Sequence, residues 1–179
     1  MIQNVVASAN LGTELDLGML VLSMEGAEYD PETFPGLIYR LKQPKTATLL
    51  FRSGKLVCTG AKTIDHVQLA VDKVTDAVRK AGVHVEKTPI VEVQNIVASS
   101  DLEQPVNLAS IVITLGLERV EYEPEVFPGL VYRMDSPKVV MLLFGSGRLV
   151  CTGARKPVDV EVAVGKLTEE LRSADLLTR

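Results

Sequence analysis

Tryptophan is absent and aromatic residues make up only 4% of the chain, so any core must be built from aliphatic side chains. The four Phe and four Tyr are few enough to follow one by one. Two cysteines, Cys58 and Cys151, cannot make a disulfide framework, and with only two histidines, His66 and His84, a Cys/His zinc site has almost no ligands to draw on. No metal and no cofactor are expected. No apolar run reaches the ~18 residues of a membrane span, and the start MIQNVVASAN lacks the basic and apolar segments of a secretory leader, which predicts a cytoplasmic protein. Catalytic groups are equally scarce: there is no Ser/His/Asp set, and Gly145-Ser146-Gly147 reads as a hairpin turn without the GxxxxGK[ST] pattern of a phosphate loop. The sequence predicts no enzyme.

What is present begins with 46% hydrophobic residues in 179, enough for a packed core in one large or two small domains. The net charge of −4 hides a segregation. Residues 36–62 hold six Lys/Arg (Arg40, Lys42, Lys45, Arg52, Lys55, Lys62) and no acid; residues 129–156 hold five (Arg133, Lys138, Arg148, Arg155, Lys156) against Asp135 alone. Those windows carry +6 and +4, leaving −14 on the rest. Such a division suggests a basic face for a polyanion and an acidic back.

The chain also repeats itself. EYDPETFPGLIYRLKQPKTATLLFRSGKLVCTGAK (28–62) returns as EYEPEVFPGLVYRMDSPKVVMLLFGSGRLVCTGAR (121–155), with 23 of 35 positions identical at an offset of 93. IQNVVAS (2–8) returns as VQNIVAS (93–99) at an offset of 91, so the second copy carries two extra residues between the blocks. Two copies are too few for a solenoid and predict a closed pseudo-twofold object with halves at 1–90 and 91–179.

Each copy reads as strand, helix, a meander of short strands, and a long helix. Residues 2–9 and 93–99 alternate as strands, while 15–24 and 106–117 are apolar enough for helices. Pro31, Pro35-Gly36, Pro44 and Ser53-Gly54 break 28–62 into short extended runs, as do Pro124, Pro128-Gly129, Pro137 and Gly145-Ser146-Gly147 in the second copy, giving four or five strands per copy. Residues 63–82 place Ile64, Val67, Val71, Val74 and Val78 on one helical stripe and end at Gly82. Residues 157–171 look locally like a strand, because Val158, Val160, Val162 and Val164 alternate. Alignment with 64–78 and the leading Pro157 predict a helix instead.

The strings QNVVAS/QNIVAS, FPGLIYR/FPGLVYR and SGKLVCTGAK/SGRLVCTGAR, each present twice in the same order, resemble the TATA-box-binding protein family along nearly the whole chain. The lack of the long N-terminal extension of eukaryotic members makes the resemblance archaeal in type. It implies an α+β saddle: one curved antiparallel sheet of about ten strands built from both repeats, its concave side on the minor groove of double-stranded DNA, with four helices on the convex side. It also implies a general initiation factor that binds the TATA box, bends it, and recruits transcription factor B and RNA polymerase. A module of this fold acting on an RNA–DNA hybrid, or a paralogue with another promoter choice, stays open, as does self-association of the free protein through its apolar face.

Strand alternation sorts the same residues independently. If Asn4 faces the groove, so does Val6, and Val57 and Thr59 face it while Cys58 points to the helices; Asn95, Val97, Val150 and Thr152 repeat the set around Cys151. Leu49 and Phe51, and Leu142 and Phe144, follow the two-residue rule. Alternating apolar residues are ordinarily core, yet here both strand faces are apolar and two long helices can cover only one. An uncovered surface of Val6, Leu49, Val57, Val97, Leu142 and Val150 would accept an A·T groove floor and exclude the amino group of G·C. Asn4, Asn95, Thr59 and Thr152 would donate to adenine N3 and thymine O2. The resemblance assigns Phe34 with Phe51, and Phe127 with Phe144, as wedges that kink the end steps of the site, a mode for which this family is itself the standard example. It places Arg40, Lys45, Arg133 and Lys138, with Ser53 and Ser146, on phosphates, and Glu123, Glu125 and Val126 against transcription factor B. Arg52 has Gly145 as its mate, an asymmetry suited to orienting the complex.

Overall fold

The computed structural model describes residues 1–116 and 118–178. Nine strands and four helices follow one another as β1 (Ile2–Asn10), α1 (Leu17–Ser23), β2 (Leu37–Lys42), β3 (Lys45–Leu50), β4 (Lys55–Ala61), α2 (Ile64–Lys80), β5 (Glu92–Asp101), α3 (Leu108–Leu115), β6 (Val120–Glu121), β7 (Leu130–Asp135), β8 (Lys138–Leu143), β9 (Arg148–Ala154) and α4 (Pro157–Ser173). About ten strands were expected. The difference is local: where the second copy forms β6 against β7, the first makes a single bridge, Glu28 to Ile38.

The chain divides into two compact units, Asn4–Gln94 and Met1–Gln3 together with the chain from Asn95 onward. In the first, the strands run β2-β3-β4-β1; in the second, β5-β9-β8-β7-β6. All these pairings are antiparallel, with Leu49 opposite Val57 in one unit and Leu142 opposite Val150 in the other. β1 and β5 each carry a bulge, between Val5 and Ala7 and between Ile96 and Ala98. The short segment Met1–Gln3 is tied to Ser99, whose N–H donates to the Met1 carbonyl (2.8 Å) and whose hydroxyl accepts from Gln3 Nε2 (2.9 Å). Gln94 Nε2 donates to Ser8 Oγ at 2.9 Å within the Asn4–Gln94 unit.

Helix α2 starts because the Thr63 hydroxyl accepts the His66 N–H at 3.0 Å and Asp65 sits in the first turn; it ends with Arg79 and Lys80 in the last turn and Gly82 at φ +100°. Its stripe packs on β3 and β4: Val67, Ala70, Val71, Val74 and Val78 are buried over Leu50, Leu56 and Cys58. α4 packs on β9, and its alternating valines resolve as expected of a helix. The buried set is Val160, Ala163, Leu167 and Leu171, spaced by three or four, while Val158 and Val162 are exposed. α1 and α3 start later than residues 15 and 106 because the Asp16 and Asn107 side chains cap them, accepting from Met19 N (3.1 Å) and Ser110 N (3.0 Å); they end at Ser23 and Leu115, and Leu117, the last residue of the expected second segment, lies outside the described residues. No helix among the described residues is long and apolar enough to cross a membrane.

Candidate nucleic-acid interface

Helices cover one face of each unit's sheet, so burial alternates along most strands, most clearly in β3, β4, β8 and β9. Val5, Ala7, Leu50, Leu56 and Cys58 are fully buried; their neighbours Val6, Leu49, Val57 and Thr59 are half-buried on the opposite face. The second unit repeats this, with Ile96, Leu143, Leu149 and Cys151 buried and Val97, Leu142, Val150 and Thr152 half-buried. Strand register then assembles rows across the open face. In one unit Ile38, Leu49, Val57 and Ser8 are successive partners, and in the other Val131, Leu142, Val150 and Ser99. A second row joins Arg40, Ala47 and Thr59, matched by Arg133, Val140 and Thr152. Ile38, Ala47, Val131 and Val140 therefore belong to the apolar surface, although the sequence reading omitted them. The two-residue rule applied to β2, β3, β7 and β8 would have found them.

Asn4 and Asn95 are held in a fixed orientation. The Gly60 N–H donates to Asn4 Oδ1 at 2.7 Å, and the Gly153 N–H to Asn95 Oδ1 at 2.6 Å. A backbone N–H can only donate, so the facing amide atom is the oxygen, and the amino group is directed to Thr59 Oγ1 (3.1 Å) and Thr152 Oγ1 (3.3 Å). Each amino group keeps a second proton for a ligand acceptor. The clamps depend on Gly60 and Gly153, at φ +100° and +99°, which lie where β4 and β9 pass the bulges in β1 and β5. Their hold on the asparagines was visible in sequence only as a repeated Thr-Gly.

All four phenylalanines pair as expected. Phe34 and Phe51 meet edge to face at 5.9 Å, Phe127 and Phe144 at 5.8 Å. Phe34, Phe51 and Phe144 are half-buried and Phe127 is 37% exposed, so the rings stand at the surface. A glycine seats each pair. A Cβ at Gly36 would come within 2.7 Å of Phe34 and 3.0 Å of Phe51, and one at Gly129 within 2.6 Å of Phe127 and 2.9 Å of Phe144. The repeated Pro-Gly thus leaves room for rings as well as making a turn.

Around the open face, Arg40 pairs with Glu28 (3.1 Å) and Arg133 with Glu121 (2.6 Å), all four side chains more than half exposed. Ion pairs this exposed are worth about 0–1 kcal/mol and yield readily to a phosphate. Lys45 and Lys138 are exposed at the starts of β3 and β8. The Ser53 and Ser146 hydroxyls accept the Lys55 and Arg148 N–H groups at 3.3 Å, which leaves their protons for a ligand. On the loop before β7, Val126 is 79% exposed directly after Glu123-Pro124-Glu125, in a turn where the Glu123 carbonyl accepts both the Val126 and Phe127 N–H groups at 2.9 Å.

Nucleophilic groups are held away from this surface. Burial pushes the Cys151 thiol up to about 11 and also raises Cys58, where the nearby Thr48 and Thr46 hydroxyls work in the lowering direction. The Tyr132 hydroxyl is raised by burial and then by its hydrogen bond to Glu170. Among the described residues no group of three His, Cys, Asp or Glu is placed to hold a metal.

Each unit's sheet thus leaves one apolar face uncovered, carrying an oriented amide, a surface phenylalanine pair and exposed cations, the features of a binding surface. The family model of transcription factor TFIID, the TATA-binding protein, matches residues 1–81 and 90–174. The chain is 57% identical over 176 residues to TATA-box-binding protein F of Halobacterium salinarum, covering 98% of this chain and 95% of that one, and 55% identical to the TATA-box-binding protein of Picrophilus torridus, covering 98% and 96%. The solved structure of the Methanococcus jannaschii TBP superposes with a TM-score of 0.88 at 45% identity, covering 96% of this chain and 97% of that one. The chain belongs to the TATA-box-binding protein family.

Proposed function

We propose that the protein binds the TATA box in the DNA minor groove, bends it, and serves as the platform for transcription initiation. The observation that carries this reading is the open sheet face, where apolar rows surround the clamped amides of Asn4 and Asn95. An A·T floor offers only acceptors, which suits two fixed amino groups, and it lacks the guanine amino group that Val57, Leu49, Val150 and Leu142 would leave without a partner. Phe34 with Phe51, and Phe127 with Phe144, insert at base steps, and Arg40, Lys45, Arg133, Lys138, Ser53 and Ser146 hold phosphates. A gel shift with a TATA duplex, its G·C-substituted version and an RNA–DNA hybrid competitor tests the reading. Binding should be confined to the TATA duplex and should weaken with salt at ~0.9 log unit per phosphate contact per log unit of salt. Equal affinity for the G·C duplex, or affinity indifferent to salt, overturns it.

Recruitment of transcription factor B, and through it RNA polymerase, falls to Glu123, Glu125 and Val126. An exposed valine preceded by two exposed glutamates suits a partner that is basic around an apolar contact, and acids beside a DNA-binding face otherwise work against phosphate. Replacing both glutamates with Arg should leave TATA affinity equal or better. The ternary complex with transcription factor B should weaken by about 2–5 kcal/mol. A normal supershift by this variant would remove the loop from the recruitment surface.

A further inference from the structure

The hairpins following the two phenylalanine pairs differ at one position that bears on direction. Phe51-Arg52-Ser53-Gly54 in one unit answers to Phe144-Gly145-Ser146-Gly147 in the other. Both backbones are fixed in the same way. The Gly54 and Gly147 N–H groups donate to the Phe51 and Phe144 carbonyls at 2.9 Å, while Leu15 N–H holds the Arg52 carbonyl (2.9 Å) and Val106 N–H the Gly145 carbonyl (3.0 Å). What differs is a cation that follows Phe51 directly in the chain, where glycine follows Phe144. Arg52 is exposed in a shallow groove with Glu14, Asp16 and Tyr29, and no ion pair among the described residues ties it to either carboxylate. A second departure points the same way: Lys42 at the end of β2 is matched by Asp135 at the end of β7.

We propose that Arg52 sets the direction in which the protein lies on its site, by placing its guanidinium in the flank beyond the Phe34–Phe51 pair and favouring a narrow, A·T-rich minor groove at that end. This rests on the DNA-binding reading above. The duplicated residues cannot choose a direction, since Asn4 and Asn95 are equivalent and minor-groove acceptors do not distinguish A·T from T·A. Only an unmatched residue next to the duplex can. Narrow A-tract grooves concentrate negative potential and attract arginine, so an arginine present at one end only converts a difference between the two flanks into a difference between the two orientations. One exposed charge contact corresponds to a preference of about two- to fivefold.

Both exchanges needed to test this are sterically permitted. Arg52→Gly copies the residue already present in the other hairpin, and a Cβ at Gly145 meets nothing closer than the Val106 carbonyl at 3.9 Å, without a positive φ. The full chain is labelled through Lys80→Cys, exposed at the end of α2, while the buried Cys58 and Cys151 stay unlabelled. The duplex carries a self-complementary TATATATA core with an A-tract on one flank, a G·C flank on the other, and an acceptor dye at one end. Single-molecule energy transfer then counts the two orientations. The unsubstituted hairpins should favour the Arg52 unit on the A-tract side by about two- to fivefold, Arg52→Gly should bring the ratio close to one, and Arg52→Gly with Gly145→Arg should invert it. An orientation ratio that is the same in all three proteins overturns the proposal while leaving DNA binding intact. Failure of every variant to prefer the TATATATA core over a G·C core overturns the DNA-binding reading, and the proposal with it.

Discussion

Phe127→Ala combined with Phe144→Ala should remove the kink at one end of the site, about half of the DNA bend with Phe34 and Phe51 left in place, read as energy transfer between dyes at the two duplex ends, and weaken TATA binding by about 2–3 kcal/mol, or roughly a hundredfold. The rings meet edge to face at 5.8 Å, and Phe127 is 37% exposed, so the pair stands at the surface in the absence of a ligand. Losing their mutual contact costs the fold only about 0.5–1.5 kcal/mol beyond the lost burial. On the proposed reading the same rings, inserted into DNA, would offset the few kcal/mol needed to unstack a base step. Gly129→Ala offers a finer version of the experiment. Its Cβ would come within 2.6 Å of Phe127 and 2.9 Å of Phe144, displacing the rings without deleting them, so the bend should fall partway. An unchanged bend in the double-alanine protein would show that the pairs are surface packing and no more.

The duplication made most of this fold legible before any coordinates. It corrected the local reading of 157–171, where alternating valines suggested a strand and the aligned copy demanded helix α4. It also placed Asn4 with Asn95 and Thr59 with Thr152 as matched pairs. What it could not supply were contacts between strands distant in the chain. The clamp of Gly60 N–H on Asn4 joins β4 to β1 across 56 residues, and it requires a bulge whose position no alternation pattern reveals. The pairing of Arg40 with Glu28 was hidden for the same reason: charge windows put these residues on opposite sides of a boundary, whereas the bridge between Glu28 and Ile38 brings the carboxylate against the guanidinium. Gly36 and Gly129 read as turn residues because turn chemistry is local, while the ring space they provide depends on Phe51 and Phe144 arriving from the next hairpin.

Asn95→Asp should leave the fold intact and remove TATA binding, whereas Asn95→Ala should do the reverse in degree. The Asn95 side chain has two functions on two atoms. Its oxygen accepts the Gly153 N–H at 2.6 Å, and its amino group, beside Thr152 Oγ1 at 3.3 Å, presents a proton to the open face. Aspartate keeps the first function, since a carboxylate oxygen accepts from Gly153 at least as well and the Thr152 hydroxyl can rotate to donate to the other oxygen. It inverts the second: an anion replaces a donor in front of groove acceptors and within a polyanion's field, a like-charge juxtaposition that costs several kcal/mol. Alanine forfeits the Gly153 acceptor, costing the fold about 1 kcal/mol or less because Gly153 is exposed to water, and on DNA it loses only one neutral hydrogen bond of about 0.5–1.5 kcal/mol. Thermal unfolding and a TATA gel shift on both variants and on Asn4→Asp therefore give two opposite orders, with aspartate the better residue for stability and the worse for binding. If Asn95→Asp and Asn4→Asp bind the TATA duplex as tightly as the alanine variant, the amides do not face the groove floor, and the open sheet face must recognise its ligand through the apolar rows alone.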